Sequence, residues 1–444
     1  MNVAVMGVGY VGLSALTLIS SIKKNKKYLF NVTGLENNTL KGKLISNKIN
    51  KGKVHIKIDD TKFNSLFKSC FKNKRIKVTT NQKILQKAKI VIVCINCDYD
   101  FKNKKVKLND FLNSIKKISK RIKKNCLLII QTTLPPGTTE NQIQSIIKKE
   151  FKRRKLGIKS FYLSHMFERV MPGDIYLKSS LDIEKVYGSI NKESAAMTNS
   201  FLKKIYNKKK IISLQNPTES EFCKLLENSF RATNISLLDE WNRLAYELKI
   251  NINNIISVIQ KRPTHSNLMR PGINVGGYCL TKDPLFAKFI TKEKYSFPIV
   301  TNSLKINQNL TKVLFNKFKV KEKITPPVLL AGISYKGEVG DVRFSPAGSV
   351  YRLLIKSKVK NIEYYDPYVE TWNLVNKKSI KFDEIKKFKT IIFCTPHKRF
   401  SNIEKKIKKN QNILDLSYCL NKNQIEKIKA KCKQNFFIGD YSNI

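Results

Sequence analysis

The sequence predicts an α/β protein with two Rossmann-like, doubly wound domains joined by a central helical region that contains one long helix. Short apolar runs alternate with helical periods in the first part of the chain, and the same alternation resumes after Pro327. Between these parts, residues 218–249 carry one helical period without Gly or Pro. The 444 residues are enough for two or three domains. We therefore predict an N-terminal domain over 1–205, a central region over 206–320 and a C-terminal domain over 321–444.

The formal net charge of +52 is spread along the whole chain. Dispersed lysines without a neighbouring aromatic platform indicate solvated helix faces, so we expect no specific nucleic-acid partner. No run of about eighteen apolar residues occurs, which argues against a membrane partner. Nine cysteines without a paired framework, and an N-terminus that reads as a strand, favour a cytoplasmic location. Cys94 and Cys97 lack a second pair, so no metal is expected.

The chain opens with a predicted strand, a glycine-rich turn and a helix. The apolar run Val3–Met6 leads into GVGYVG, and apolar residues at helical spacing follow. This is the GxGxxG pattern in its dinucleotide-binding context: the glycines form the turn, admit a pyrophosphate and let the helix pack on the strand. The helix N-terminus then faces the phosphates. The residues expected to hold the dinucleotide are Gly7, Gly9, Tyr10, Val11 and Gly12.

Glu36 ends the second predicted strand, Tyr28–Leu35. A carboxylate at this place accepts hydrogen bonds from the adenosine ribose hydroxyls and repels a 2′-phosphate. Together with the glycine-rich turn, Glu36 therefore predicts NAD as the cofactor in preference to NADP.

Further strands are predicted over Lys89–Ile95, Cys126–Gln131 and Ile158–Ser164. The second of these runs into TTLPPGTT, which places the Thr133 hydroxyl at the carboxyl edge of a parallel sheet, where ligands bind. Glu168 follows the last strand, a suitable place for a general acid or base. A solitary Glu is more often a surface residue, and both interpretations stay open at this stage.

The long predicted helix begins with Thr218 and Glu221, spaced as a capping box. A polar stripe along one side consists of Glu221, Lys224, Asn228 and Arg231. Such a stripe is either an exposed charged face or a face turned toward a site. Apolar residues occupy more than one further face, so one domain alone is not expected to cover the helix, and we predict a homodimer.

The segment Met269–Pro284, MRPGINVGGYCLTKDP, surrounds one cysteine with glycines and prolines. Glycines permit positive φ and close approach of the backbone to a ligand. Cys279 can thus be presented to a substrate, with Asp283 on the same face if a helical turn follows. The alternative is an inert, buried cysteine in a tight turn.

The second α/β part begins with a predicted strand over Val328–Ile333 and has no GxGxxG. A helix over Pro346–Lys356 and a strand over Ile362–Tyr365 follow. Lys336 and Arg343 come shortly after the first strand, where cationic side chains suit a diphosphate.

Taken together, these motifs resemble the UDP-glucose/GDP-mannose dehydrogenase family of nucleotide-sugar 6-dehydrogenases. The resemblance covers nearly the whole chain and rests on GVGYVG, TTLPPGTT, FERVMPG, ESEFCKLLENSFR, PGINVGGYCLTKDP and GISYKGEVGDVRFSP, in the family's order. It implies an NAD-binding domain, a central dimerisation region and a C-terminal domain that binds the nucleotide of a sugar, most simply UDP. It also implies a place in the synthesis of surface-polysaccharide precursors.

Carried over by position, the resemblance makes Cys279 the nucleophile and Asp283 its neighbour in the site. Lys224 and Asn228 would flank the reacting oxygen, and Glu168 would serve hydrolysis. Thr133 would hold a water or contact the nicotinamide region. Further contacts to the cofactor are implied for Lys282 and Arg343. Contacts to the sugar nucleotide are implied for Glu168, Lys224, Asn228, Arg231, Arg270, Gly272, Gly276 and Lys336.

The implied reaction is a four-electron oxidation of a C6 hydroxyl to a carboxylate, with two hydrides passed to NAD. Cys279 as a thiolate would trap the aldehyde as a thiohemiacetal, and the later thioester would be cleaved by water with help from Glu168. Asn228 and the Lys224 ammonium would stabilise the oxyanions, and Lys282 with Lys224 would favour the thiolate. Lys224, Asp283 or a bound water is the base of the first step.

The sequence features that bear on the identity of the sugar conflict with one another. TTLPPGTT and the Met-Pro-Gly after Glu168 are similar to the N-acetylhexosamine branch of the family, whereas Tyr278 stands where that branch often has His. Phe167 replaces a common Pro. Two other functions are open at this stage: a single-hydride dehydrogenase of the hydroxyacid type, which needs no cysteine, and a basic nucleic-acid-binding protein. The number of NADH formed per substrate separates the first, and salt-dependent DNA binding the second.

Overall fold

The computed structural model describes residues 1–157, 159–290 and 295–442. They form two compact units. Unit 1 comprises Met1–Glu227 and Leu285–Tyr295, and unit 2 comprises Asn228–Pro284 and Ser296–Ile444. The predicted fold class, two Rossmann-like domains with a helical region between them in sequence, is confirmed. The three predicted domain boundaries stay predictions.

Unit 1 is built on an eight-stranded sheet with the order β12-β11-β10-β9-β6-β1-β4-β5. Neighbouring strands are parallel except β10 and β11, which pair antiparallel. The strands of this sheet are β1 Asn2–Met6, β4 Asn31–Leu35, β5 Val78–Thr79, β6 Ile90–Val93, β9 Cys126–Ile130, β10 Phe161–Met166, β11 Lys185–Ser189 and β12 Ile211–Leu214. Two small hairpins add β2 Lys23–Lys24 with β3 Lys27–Tyr28, and β7 Tyr99–Asp100 with β8 Lys105–Val106.

Helices cover the faces of this sheet. They are α1 Tyr10–Ser21, α2 Leu40–Asn50, α3 Thr61–Lys72, α4 Leu108–Ser119, α5 Gln144–Arg153, α6 Tyr176–Asp182 and α7 Lys192–Leu202, with a π-helical turn over Thr138–Ile143. The central strands β6 and β9 are apolar throughout and buried along their whole length, as parallel strands covered on both faces must be. Their carboxyl ends therefore meet at one edge, where loops carry the polar residues.

Helix α8 spans Pro217–Glu247, close to the predicted 218–249. The predicted capping box is wrong. Asn216 accepts the backbone N–H of Glu219 at 2.9 Å, and the Thr218 hydroxyl donates to Glu140 at 2.9 Å. Glu221 instead accepts two hydrogen bonds from Thr139, so its carboxylate points away from the start of the helix.

Unit 2 contains a five-stranded parallel sheet with the order β14-β13-β17-β18-β19. Its strands are β13 Val328–Ala331, β14 Ile362–Tyr365, β17 Thr390–Phe393, β18 Asn412–Asp415 and β19 Asn435–Phe437, and a hairpin pairs β15 Thr371–Trp372 with β16 Lys377–Lys378. The remaining helices are α9 Ile252–Ile259, α10 Asp283–Ile290, α11 Pro298–Asn316, α12 Pro346–Lys356 and α13 Lys422–Lys431. Helix α10 begins in unit 2 and continues in unit 1.

The predicted elements agree with these bounds to within a few residues. Helix Pro346–Lys356 and strand Ile362–Tyr365 are confirmed at both ends. The predicted strand Tyr28–Leu35 is shorter, because Tyr28 belongs to the first hairpin. Ile158, the first residue of another predicted strand, lies outside the described residues. Among the described residues, no helix combines the length and apolarity that crossing a bilayer requires.

Candidate active site

The glycine-rich turn of unit 1 has the geometry that a dinucleotide needs. Gly7 has φ +83° and donates its N–H to the Leu35 carbonyl at 2.9 Å. A side chain at Gly12 would bring its Cβ to 1.8 Å from the Gly7 carbonyl oxygen, so only glycine lets α1 pack here. A Cβ at Gly9 would have no neighbouring atom within 4 Å. The turn thus leaves open space where a pyrophosphate would approach the start of α1.

Glu36 stands beside this turn, directly after β4. Its carboxylate accepts the N–H of Val8 at 2.5 Å. Burial raises the pKa of Glu36 from its usual value, and the Val8 hydrogen bond works against that rise. Tyr10 and Val11 form the first turn of α1, and the Tyr10 carbonyl accepts a hydrogen bond from the buried Tyr176 hydroxyl. The cofactor residues predicted in the glycine-rich turn and Glu36 are therefore together at the carboxyl edge of β1 and β4.

The threonine-rich segment leaves β9 at the same edge. Thr132 anchors it, because its hydroxyl donates to the Ile95 carbonyl at 2.6 Å. Thr133 follows and is partly exposed. Gly137, with φ +86°, turns the chain into the π-helical segment that begins at Thr138. Thr133 is thus presented at the edge of the sheet, as predicted for a residue that meets a ligand.

The side chain of Lys224 contacts the backbone of Glu168 and not its carboxylate. The Lys224 ammonium donates to the Glu168 carbonyl oxygen at 3.1 Å and lies 5.5 Å from the centre of the Phe167 ring. The Glu168 carboxylate instead pairs with Lys185 at 2.6 Å. In this pair, the side chain of Lys185 is 1% exposed and that of Glu168 is 8% exposed.

Lys185 is the main residue of this part that sequence reasoning missed. The antiparallel register of β10 and β11 pairs Ser164 with Ser189 and Met166 with Tyr187. Two residues further along the same register, Glu168 faces Lys185. Directly opposed charges on neighbouring strands attract, but this pairing is visible only once the register of β11 is known.

In unit 2, Cys279 is exposed, as expected for a presented nucleophile and not for an inert core thiol. The turn continues as predicted, because the N–H of Asp283 bonds to the Cys279 carbonyl at 2.9 Å. Gly277 has φ +88°, and a Cβ there would lie 2.7 Å from the Tyr335 ring. A Cβ at Gly276 would lie 2.6 Å from Pro346. These glycines are required because the loop packs closely against the second α/β part.

Asp283 lies directly behind this turn and is fully buried. Its carboxylate accepts the Asn228 side-chain amide at 2.7 Å and the Lys282 ammonium at 2.6 Å. The predicted residues Asn228, Lys282 and Asp283 therefore form one hydrogen-bonded group at the start of α10. Asp283 fixes the orientation of the Asn228 amide, which leaves the amide oxygen able to accept a further hydrogen bond.

Tyr278 has two cations over its ring. The Lys282 ammonium lies 4.6 Å, and the guanidinium carbon of Arg343 lies 4.8 Å, from the ring centre. Arg343 also forms an ion pair with Asp341, at 2.7 Å between the closest atoms. Both residues predicted to contact the cofactor from this unit are thus arranged around the residue that precedes Cys279.

The other predicted substrate residues of unit 2 differ in their surroundings. Arg270 donates to the Asn253 carbonyl at 3.0 Å and to the Ser257 hydroxyl at 2.8 Å, and stacks on Tyr418. Lys336 and Arg231 are exposed, and a Cβ at Gly272 would meet nothing within 4 Å. The substrate contacts of these residues stay predictions.

Three consecutive parts of the chain match one known family. Residues 1–210 match the NAD binding domain of the UDP-glucose/GDP-mannose dehydrogenase family, residues 218–309 match its central domain and residues 329–422 match its UDP binding domain. The prediction of NAD as cofactor is confirmed by the first of these matches.

Individual relatives match along their whole length. The chain is 29% identical to the UDP-N-acetyl-D-mannosamine dehydrogenase of Methanocaldococcus jannaschii over 455 residues, covering 100% of this chain and 97% of that protein. The structure of UDP-D-ManNAc dehydrogenase from Pyrococcus horikoshii superimposes with a TM-score of 0.82 at 25% identity and covers 100% of both chains. A UDP-glucose dehydrogenase from Pyrobaculum islandicum shares the fold, with a TM-score of 0.83 at 17% identity and coverage of 99% and 97%.

Proposed function

The chain belongs to the UDP-glucose/GDP-mannose dehydrogenase family, and we propose that it oxidises C6 of UDP-N-acetyl-D-mannosamine to the carboxylate in two NAD-dependent steps. As a family member it is an NAD-dependent oxidoreductase of nucleotide sugars. The choice of sugar is supported by full-length relatives that carry this activity in their names. The observation that carries the proposal is the exposed Cys279 thiol, one turn before the buried Lys282 and Asp283, which form a hydrogen-bonded group with Asn228.

The first oxidation removes a proton and a hydride from the C6 carbinol and leaves an aldehyde. When bound, NAD accepts the hydride of each oxidation. A water held by the Lys224 ammonium takes the hydroxyl proton, because the ammonium has no lone pair to accept it and the Asp283 carboxylate is already engaged by Asn228 and Lys282. Asn228 and Lys224 stand one turn apart on α8 and stabilise negative charge on the reacting oxygen.

Cys279 then holds the substrate between the two oxidations. The thiolate adds to the aldehyde carbon, forming a C–S bond and a thiohemiacetal. Loss of the second hydride and of the hydroxyl proton gives a thioester. Water attacks the thioester carbon, the C–S bond breaks, and the products are the sugar carboxylate and the free thiol. In total, one alcohol and one water react and two hydrides are transferred, which gives one carboxylate.

Glu168 assists the attack of water in this proposal. Its carboxylate is charged in the ion pair with Lys185, and a charged carboxylate can accept the proton that water releases. Thr133 lies at the same edge of the sheet and orients the water or the nicotinamide end of the cofactor. The product is an acidic nucleotide sugar, of the kind consumed in the assembly of surface polysaccharides.

We also propose that the enzyme is a homodimer built through α8. This helix exposes large apolar side chains at helical spacing along its length, and Leu248 directly after it continues the series: Phe222, Leu226, Phe230, Leu237, Trp241, Leu244 and Leu248. A continuous apolar stripe of this length on a helix is typical of a surface that a second copy covers.

Turnover and covalent trapping test this function together. The assay compares four candidate substrates: UDP-N-acetyl-D-mannosamine, UDP-N-acetylglucosamine, UDP-glucose and GDP-mannose. We expect UDP-N-acetyl-D-mannosamine to give the highest kcat/KM, with two NADH formed per sugar acid. Cys279→Ala should abolish acid formation, while Cys223→Ala, the same change at a cysteine without an assigned role, should not. Glu168→Gln should accumulate a thioester that intact-protein mass spectrometry detects as the added mass of the sugar nucleotide. One NADH per product would establish the single-hydride alternative instead.

A further inference from the structure

His165 is a fully buried histidine at the carboxyl end of β10, outside the residues that the proposed mechanism uses. Both of its ring nitrogens are engaged. Nδ1 lies 2.9 Å from the Ser220 hydroxyl, and Nε2 lies 3.1 Å from the Thr132 carbonyl oxygen. One imidazole ring therefore connects the ends of β9 and β10 to the start of α8, and all three belong to unit 1.

The protonation state and the tautomer of the His165 ring follow from its pKa and its contacts. Burial lowers the pKa of His165 to about 4, and the charge of Lys224 acts in the same direction. The ring is therefore neutral near pH 7 and carries one N–H. A carbonyl oxygen can only accept, so the proton must be on Nε2, and Nδ1 shares the single Ser220 hydroxyl proton with the His165 backbone carbonyl, which lies 3.2 Å from that hydroxyl. The Nε2–H tautomer is the one that satisfies both contacts.

Each contact ends next to a residue of the proposed site. Thr132 precedes Thr133. Ser220 lies one helical turn before Lys224 and on the same side of α8. The Lys224 ammonium contacts the segment that follows β10, through the Glu168 carbonyl at 3.1 Å. These contacts form a closed loop of connections that runs from His165 to Ser220, along α8 to Lys224, and back through Glu168 to His165.

We infer that His165 is a positioning residue that fixes Lys224 and Thr133 relative to Glu168, an inference that rests on the proposed function. It does not touch substrate, because it is fully buried. Its effect is on geometry: a misplacement of about 1 Å in a catalytic group can cost roughly a hundredfold in rate. The glycine-rich turn, which would bind the NAD pyrophosphate, is not part of these contacts, so we expect ground-state binding of NAD to change little.

The test is the separation of kcat from cofactor binding in His165→Phe and Ser220→Ala. His165→Phe retains a planar ring without hydrogen bonds, and Ser220→Ala removes the contact to Nδ1 together with the contact of the same hydroxyl to the His165 backbone carbonyl at 3.2 Å. Both should lower kcat by roughly tenfold or more, with the dissociation constant of NAD within about twofold of wild type. His165→Gln, whose amide can still donate to Thr132, should recover part of the loss.

The matched control is Ser164→Ala. Ser164 is the preceding residue of β10, is equally buried, and points to the opposite face, where it bonds Ser189 and Thr198. This variant should keep wild-type kcat even if its melting temperature falls as much as that of Ser220→Ala. Equal losses of kcat in Ser164→Ala and Ser220→Ala, or wild-type kcat in both His165→Phe and Ser220→Ala, would overturn the inference.

A second readout does not depend on turnover. The chain has four histidines, so selective ¹³C,¹⁵N-histidine labelling gives few signals. The signal that disappears in His165→Gln should show a neutral Nε2–H ring from pH 8 down to about pH 5. An Nδ1–H or charged ring at pH 7 would refute the proposed arrangement. Failure of the wild type to oxidise any nucleotide sugar would refute the proposed function and leave this measurement unaffected.

Discussion

Replacement of Lys185 by methionine tests the buried ion pair beneath the proposed hydrolytic carboxylate. Methionine has a similar length and no charge, so the change removes the ammonium with little loss of packing volume. The two side chains are 1% and 8% exposed and their charged atoms are 2.6 Å apart. Solvent therefore cannot replace the lost partner, and Glu168 would keep a buried, unpaired charge.

The expected cost follows from this burial. Removing one partner of a buried ion pair costs about 3–5 kcal/mol of unfolding free energy. Lys210 provides the matched control, because its pair with Asp182 has a similar contact, 3.2 Å, but exposures of 31% and 53%. Lys210→Met should cost less than about 1 kcal/mol. The contrast between the two lysine variants measures the effect of burial within the same unit.

The assay is denaturant unfolding of the wild type, Lys185→Met, Lys210→Met and the double variant Lys185→Met/Glu168→Gln. If the chain unfolds in two transitions, the transition of unit 1 is the one that should move. The double variant should regain most of the stability, because the unpaired charge is gone, but should still accumulate the Cys279 thioester. Equal and small losses in both lysine variants would refute the reasoning.

Three further predictions concern other parts of the molecule. Glu36→Ala should reduce the preference for NAD over NADP, measured as the ratio of kcat/KM, because the carboxylate beside the glycine-rich turn is gone; an unchanged ratio would assign the preference to other residues. Trp241→Asp, at a side chain 58% exposed on α8, should yield monomers by light scattering at micromolar protein, whereas Ile355→Asp on α12, a similarly exposed position, should not. Burial raises the pKa of Glu221 from 4.5 to about 7. Between these pH values the folded state keeps a proton on Glu221 that the unfolded state has lost, so the free energy of unfolding falls as pH rises. Glu221→Gln removes this dependence and should gain roughly 3 kcal/mol over wild type between pH 4 and pH 8 in unfolding measurements; a pH-independent difference would contradict the shift.

The parts of the fold that the sequence predicts well are those decided by neighbouring residues. GVGYVG folds as a turn before α1 because Gly12 has no space for a side chain and Gly7 needs positive φ. Helix Pro346–Lys356 begins where Pro favours a first turn and Ser345 caps it. In the proposed site, the proximity of Cys279 and Asp283 was predictable because one backbone turn joins them.

The wrong capping box shows where local reasoning fails. Thr218 and Glu221 have the required spacing, but Glu221 bonds Thr139, which is 82 residues away in sequence. A local cap stabilises a helix by about 1 kcal/mol. Two buried hydrogen bonds to a carboxylate outweigh it, and only the tertiary structure brings Thr139 within reach.

Lys185 was missed for a different reason, the composition of the chain. With 85 Lys and Arg among 444 residues, one more lysine beside a strand carries no signal, and Lys185 looks like any of the solvated lysines. Burial separates them: the side chains of Lys185 and Lys282 are 1% and 3% exposed, and each pairs with a carboxylate of the proposed site at 2.6 Å. A buried ammonium is costly unless it is paired. In a chain this basic, the cations that matter for the chemistry are therefore distinguished by their burial and their partners, which only the strand register and the Cys279 turn determine.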